Sequence, residues 1–297
     1  MNNRIVFMVA GVMVAFGAII LGAGILLGAS PIIAIGSNGA SARANKELVK
    51  DTIKLSEFDE LDVDTASINT YLVRGDSYKL EYCAYEDNIP KVDQNGKKLK
   101  INQPSHNGIL LSFNFDRDGE QYYKITVPDN AGIIDTKLEA SSGTIAVDSV
   151  DIKGKVDVSS GVVKLDNIKS EDLRVSASSG DINLDKVITD KLSLELTSGD
   201  MHLTDCETDE LSADMTSGLM VFEKFKVNKA DLQSTSGDMK LGIAGKKDDY
   251  DFNIDATSGT IKVGGTITER KFRTDNNKEK YIKADITSGL FDVSFED

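Results

Sequence analysis

The chain is poor in the residues that build most catalytic and metal sites: two Cys, two His, four Pro and no Trp in 297 residues. Two cysteines cannot staple a disulfide scaffold. A structural zinc site needs three or four Cys and His ligands close together, and they are not here. A Ser-His-Asp or Cys-His centre would have to recruit His106 or His202, and neither stands in a supporting motif. Positive charge is short as well. Lys and Arg number 34 against 48 Asp and Glu, a net charge of -14. Such a surface lacks the cationic face that nucleic-acid phosphates require. No catalytic, cofactor-binding or metal-binding residue is therefore expected, and no nucleic-acid partner. Aromatics make up only 6%, whereas Gly reaches 25 residues. That balance suits a turn-rich β protein rather than a disordered chain.

Charge is absent in one further place. Arg4 is the only charged residue among the first 42. A bilayer core takes about 20 apolar residues in a helix, and the run Ile5 to Gly28 suffices, with Ser30-Pro31 marking its end. The rival reading is a cleaved signal peptide ending at Ala40-Ser41-Ala42, but a signal core is only about 7–15 residues long. Residues 1–36 are read as an uncleaved membrane anchor and 37–50 as a linker. Flanking charge barely chooses an orientation. The short N-terminal tail favours a signal-anchor with the C-terminal bulk outside the cell. Gly24 with Gly28 and Ala18 with Gly22 form small-xxx-small pairs that could seat a helix dimer, so a homo-oligomer stays open.

The main signal is a repeat. Ser-Gly recurs at Gly143, Gly161, Gly180, Gly199, Gly218, Gly237, Gly259 and Gly289, at intervals of 18, 19, 19, 19, 19, 22 and 30. A fixed period near 20 marks a solenoid. Ser or Thr always stands two before the glycine, from Ser141 to Thr287. Apolar residues fill the columns two after it (Ile145, Met201, Met220, Met239, Phe291), four after it (Val147, Phe222, Val293) and five before it (Leu138, Leu232). Mostly Glu, Asp, Ser or Gln occupies the position between the last column and the next. This is period-2 alternation on both sides of a turn, hence strand–turn–strand. One copy cannot bury its own apolar face, but copies stacked in register at about 4.8 Å can. The fold expected is all-β, a β-solenoid of about 19-residue coils over 136–297, preceded by one transmembrane helix. Glycine suits a turn with a backbone angle closed to other residues, and the Ser/Thr file reads as stacked hydroxyls. Cys206 falls in a mostly apolar column and is read as a buried free thiol. His202 should face solvent. Asp181 and Asp200 would lie on adjacent coils. They could share a cation, but the nine-residue calcium β-roll motif is missing, and solvated turn residues are the simpler reading.

Residues 51–135 are β-like but irregular, with short strands expected at Thr52–Leu55, Leu61–Thr65, Asn69–Val73, Tyr78–Tyr82, Leu99–Asn102, Ile109–Phe115 and Tyr122–Val127. This lead-in either continues the stack with wider coils or caps it. The last copy stops at Asp297 without a capping helix. It should therefore form a bare end coil, blunted by Glu296 and Asp297 or free to dock a partner. Inserted loops fall at 245–250 and 264–280. The second carries Arg270, Lys271, Arg273, Lys278 and Lys280, a basic patch on an acidic body. It reads either as a solvated hairpin or as a contact loop for an anionic wall polymer, lipid or protein.

The lead-in Phe58-Asp59-Glu60-Leu61-Asp62-Val63, the strings Val73-Arg74-Gly75-Asp76, Leu99-Lys100-Ile101 and Tyr123-Lys124-Ile125-Thr126-Val127-Pro128, and the Ser-Gly-Asp and Ser-Gly-Thr repeats together carry a resemblance. The chain is similar over roughly 50–297 to the bacterial putative-adhesin domain of unknown function, a group that includes LiaG-like membrane proteins of Gram-positive envelope-stress operons. The resemblance implies a β-solenoid ectodomain, no established activity and no catalytic residues to carry over. The function expected is a non-catalytic, membrane-anchored cell-surface domain for adhesin-like binding or scaffolding, linked by the resemblance to envelope stress. Its partners would be the membrane and a cell-envelope polymer or protein. The alternatives are a structural solenoid that self-assembles through its bare C-terminal coil, and a polysaccharide-active β-helix enzyme.

Overall fold

Alternating apolar residues on either side of each Ser-Gly corner leave every repeat with one face to bury. The computed structural model shows how the chain does so; it describes residues 32–36, 39–42, 47–104, 109–112 and 120–296. The chain divides into two compact units. One comprises Met1–Leu48 and Ser105–Glu120, the other Val49–Pro104 and Gln121–Asp297. In the first, the described residues form an antiparallel sheet in which Ile32–Gly36 pairs with Gly39–Ala42 and with Ile109–Ser112. The charge-free run Ile5–Gly28, His106, the end of the expected strand at 113–115, and Asp297 lie outside the described residues. Among the described residues no helix is long and apolar enough to cross a membrane.

The second unit is a β-solenoid. Ile134–Asp148 pairs in parallel with the start of Ile152–Thr204, aligning Leu138 on Val156, Gly143 on Gly161 and Ile145 on Val163. Extended backbone then runs through Ile152–Thr204 and Glu207–Ala244, turning corners without leaving the ladder. Like sits on like: Met201 pairs with Met220, and Met239 is paired next with Phe291. All four side chains are fully buried. Each such residue contributes roughly 1.5–3 kcal/mol, and their files merge into one continuous core. Cys206 lies in it between Val187 and Phe225, a free thiol; Cys83 in the lead-in is likewise buried and free.

The glycine file has a second cause besides the turn. A Cβ on Gly180 or on Gly218 would lie 1.9 Å from the carbonyl oxygen of the glycine one rung below. The corners of adjacent rungs therefore touch backbone to backbone, and only hydrogen fits between them.

The lead-in supplies two further rungs. Glu60–Thr65 and Asn69–Gly75 pair in parallel with Ile134–Asp148, placing Val63 against Leu138 and Leu72 against Val147. Lys98–Asn102 and Tyr122–Pro128 stack outside that rung, again in parallel. The next pieces run the other way. Lys91–Asn95 and Lys79–Tyr85 pair antiparallel with this rung, and Leu48–Lys54 lies beyond Lys79–Tyr85 as the last strand at that end.

At the other end the order of the rungs departs from the order of the chain. The strand Lys280–Glu296 is not terminal. It pairs in parallel with Lys229–Ala244 on one side and with Tyr250–Val263 on the other, so the last copy is inserted between the two before it. The expected bare C-terminal coil does not exist. The end rung is Tyr250–Val263, and its outer edge is covered by Thr266–Thr268 and Lys271–Arg273, both antiparallel to it. An uncovered edge would template further strands, and here the 264–280 insertion covers it.

Candidate functional site

The residues expected in the basic loop are mostly used within the fold. Lys271 and Arg273 reach the Asp255 carboxylate at 3.1 and 2.6 Å, and these hydrogen bonds, Arg273 first, hold that carboxyl below its ordinary range. The Lys278 backbone N–H donates to Asp251 at 2.8 Å. Lys280 places Nζ 5.5 Å from the Tyr250 ring centre, a cation–π contact. Arg270 and Lys278 have exposed side chains without an ion pair among the described residues. The five cations thus line a hairpin that clasps the end rung, and they do not converge on one point.

A more organised surface lies beside it. The columns four and two before the glycine both point outward, because the residues three and five before it point in. Over five neighbouring rungs they line a groove of about 710 Å³. Its walls include Glu195, Asp214 and Gln233, with Thr197, Thr216 and Thr235 beside them, and Lys271 closes the end nearest the hairpin. Paired registers fix the spacing: Glu195 is opposite Asp214 and Ser193 opposite Ser212, while Gln233 is opposite Asp285 and Asp285 opposite Asp255.

The charge pattern changes along these columns. On the earlier rungs the same carboxylate column is neutralised. Glu139 binds Lys137 at 2.8 Å, and Asp157 binds Lys155 at 2.7 Å and the Ser176 hydroxyl at 2.9 Å. At Ser193 and Ser212 the basic neighbour two residues earlier is replaced by serine. Glu195 and Asp214 consequently have no cationic partner among the described residues. The Asp214 carboxyl is raised above its ordinary range, by desolvation first and then by the charges of Glu195 and Asp231. At the hairpin end neutralisation returns through Lys271 and Arg273 on Asp255.

Other residues singled out in the sequence behave as follows. His202 is exposed, and Asp181 and Asp200 are exposed beside the glycine file. Among the described residues no three His, Cys, Asp or Glu side chains could together hold a metal ion. The Cys206 thiol donates to the Thr204 carbonyl at 3.3 Å, and burial pushes its pKa up to about 11, so it is not poised as a nucleophile. The groove itself was not picked out from the sequence. Its signal was present in the column of Glu, Asp, Ser and Gln and in the exchange of Lys for Ser at 193 and 212, which gains meaning only once rung register is known.

A rod of parallel strand–turn–strand rungs, closed at both ends by antiparallel strands and bearing one ordered polar groove, is an all-β solenoid domain. The chain belongs to the Toastrack DUF4097 family, whose model matches residues 58–294. It is similar to three crystal structures in particular. A putative adhesin from Bacteroides fragilis shares 15% identity, with 85% of this chain and 98% of that one covered and a TM-score of 0.47. A putative adhesin from Parabacteroides merdae shares 13%, with 86% and 98% covered and a TM-score of 0.44. A putative lipid binding protein from Parabacteroides distasonis shares 17%, with 85% and 98% covered and a TM-score of 0.44. No curated protein matches the chain.

Proposed function

We propose that this protein is a non-catalytic binding or scaffolding domain, anchored by the apolar run Ile5–Gly28 in the cell membrane and displayed outside the cell, where it serves an adhesin-like role tied to envelope stress. The observation that carries the reading is the groove. Its polar side chains repeat at rung spacing on an unbroken stack, and Glu195 and Asp214 stand without neutralisation where the same column is neutralised elsewhere. An extended, repetitive surface of this kind suits the recognition of an extended partner. The apolar run Ile5–Gly28 supports the anchor.

The test is protease shaving of intact cells, with recovery of the chain in the membrane fraction. The solenoid should be degraded from outside while the anchor stays with the membrane. Full protection in intact cells, with cleavage of the same chain after lysis, would reverse the topology and end the surface-binding reading.

A further inference from the structure

We infer that the groove over rungs 190–204, 209–223 and 228–242 and the two beyond them binds a linear amino-sugar glycan, laid along the solenoid axis with about one ring per rung. This inference rests on the surface-binding reading above and names its ligand class.

Geometry gives the first argument. The groove crosses the rungs, so any polymer in it meets equivalent side chains about every 4.8 Å. An extended peptide places side chains of one face roughly 6.8 Å apart and drifts out of step within two rungs. A β-1,4-linked sugar chain advances by one ring over about one rung spacing and stays in step, with successive rings turned over so that the same ring edge meets every second rung. Chemistry gives the second. On each of the first three rungs the groove offers one side chain from the carboxylate column (Glu195, Asp214, Gln233) and one threonine hydroxyl (Thr197, Thr216, Thr235). Threonine both donates and accepts, and glutamine does the same, whereas a carboxylate only accepts. Sugar hydroxyls satisfy all of these groups.

Charge selects among sugars. A uronic-acid or phosphate-bearing polymer would bring like charge against Glu195 and Asp214. A protonated amine on the ring would supply the cation that Lys137 and Lys155 supply on the earlier rungs. Desolvation by the ligand would strengthen that pairing. The groove holds no aromatic side chain, so affinity must come from repetition along several rungs, and binding should rise steeply with chain length.

The experiment uses the full chain in detergent micelles, titrated by calorimetry with a glucosamine hexamer. Binding is expected for the hexamer and should weaken at least about tenfold for the trimer. Asp214→Asn and Glu195→Gln should each lower hexamer affinity by about tenfold, as expected for loss of a charge-assisted hydrogen bond. Neither should lower the melting temperature, because both side chains are exposed and have no cationic partner among the described residues. The fully N-acetylated hexamer, lacking the amine, should bind less tightly, and a galacturonate hexamer not at all. Hexalysine is the decisive control. If it binds as tightly as the glucosamine hexamer, the groove reads charge alone and the glycan assignment is wrong. If no sugar binds while shaving still places the solenoid outside the cell, the ligand class falls and the surface-binding reading stands.

Discussion

Met239 is paired in register with Phe291, and Phe291 is paired on its other side with Ile261, so the final repeat of the sequence is sandwiched by the two repeats before it. The glycine file repeats the relationship. A Cβ on Gly289 would lie 2.0 Å from the Gly237 carbonyl oxygen, and one on Gly259 would lie 2.2 Å from that of Gly289. Hydrogen bonding agrees, since the Leu290 N–H donates to the Asp238 carboxylate at 2.9 Å. The polymer-like regularity of the solenoid therefore hides a chain crossing.

Gly289→Ala should cost about 3 kcal/mol. The added methyl meets backbone, which cannot swing aside, at a residue with φ +129°. Gly132→Ala makes a matched control, because nothing lies within 4 Å of its Cβ, and its effect should stay within about 0.5 kcal/mol. Urea unfolding of the two variants decides the matter. Equal midpoints would mean that the corners are not in contact.

The repeat made much of this fold legible from residue order alone. Met201, Met220 and Met239 lie at one offset from three glycines, and in the structure they lie within one buried file. What the period could not show was the order of the last rungs. Both late copies carry Thr-Ser-Gly with apolar residues at the same offsets, so either can sit on rung 228–242. The insertion 264–280 decides between them by folding back over Tyr250–Val263, where Lys271 and Arg273 pair with Asp255. The lead-in rungs were equally masked, because Ala66-Ser67-Ile68-Asn69 replaces the Ser-Gly corner. There the Asn69 side-chain oxygen accepts the Thr144 N–H at 2.8 Å, as the Asp238 carboxylate accepts the Leu290 N–H in the later repeats. The groove stayed hidden for a related reason. Glu195 and Glu139 look alike in sequence, and only their neighbours in register separate a neutralised carboxylate from a free one.

A second corner file gives a prediction of opposite sign. Lys186 and Lys224, each six residues after a glycine, adopt φ of 52° and 51°. The left-handed region costs an ordinary residue roughly 1–2 kcal/mol, while glycine loses about 0.5–1 kcal/mol through its greater freedom in the unfolded chain. Lys186→Gly and Lys224→Gly should thus each stabilise by about 0.5 kcal/mol. The two sites are two rungs apart, roughly 10 Å, so the double variant should show the sum. For a domain of this size that is a rise of about 2–4 °C in melting temperature. The ion pairs lost, Lys186 with Asp185 and Lys224 with Asp205, are on the surface and worth little. A fall in melting temperature would show that the lysines hold the corner by some other contact.

Acid should loosen the hairpin before the body of the stack. Asp251 accepts the backbone N–H groups of Lys278 and Asn276, each at 2.8 Å, and the Thr274 hydroxyl at 3.1 Å. These bonds, that from Lys278 foremost, hold its carboxyl below the ordinary range, as Arg273 and Lys271 do for Asp255. A depressed folded-state pKa means that the unfolded state takes up protons first. The stabilisation is therefore complete above the ordinary carboxylate pKa of about 3.9 and is lost as pH falls below it. Hydrogen-exchange protection factors over 266–280 should drop between pH 6 and pH 3 while those over 152–223 persist. Asp251→Asn should reproduce the loosening at pH 6. Uniform loss of protection along the rod would remove any special role for these two carboxylates.

The strongest consequence of the inserted strand concerns a chain ended after Glu279. If the repeats stacked in chain order, that truncation would trim one terminal coil and leave the rest paired. With Lys280–Glu296 in the interior, it removes Ile282, Ile286, Phe291 and Val293 from the core, at roughly 1.5–3 kcal/mol each, and bares two strand edges facing one another across an empty slot. Whole domains are stable by only about 5–15 kcal/mol, so the end of the rod should unfold or seek strands elsewhere. Tyr250–Val263 could close the slot by pairing directly with Lys229–Ala244, since Ser258-Gly259 matches Ser236-Gly237. To do so it must shed the crossover that Asp251 clamps. The truncated chain should therefore melt well below the intact one and elute as a mixture of sizes. Adding the peptide Lys280–Asp297 should restore the elution position of the intact chain, because the slot is specific for that sequence. A truncated chain that elutes as the intact one does, with an unchanged melting temperature, would place the last repeat at the end of the stack.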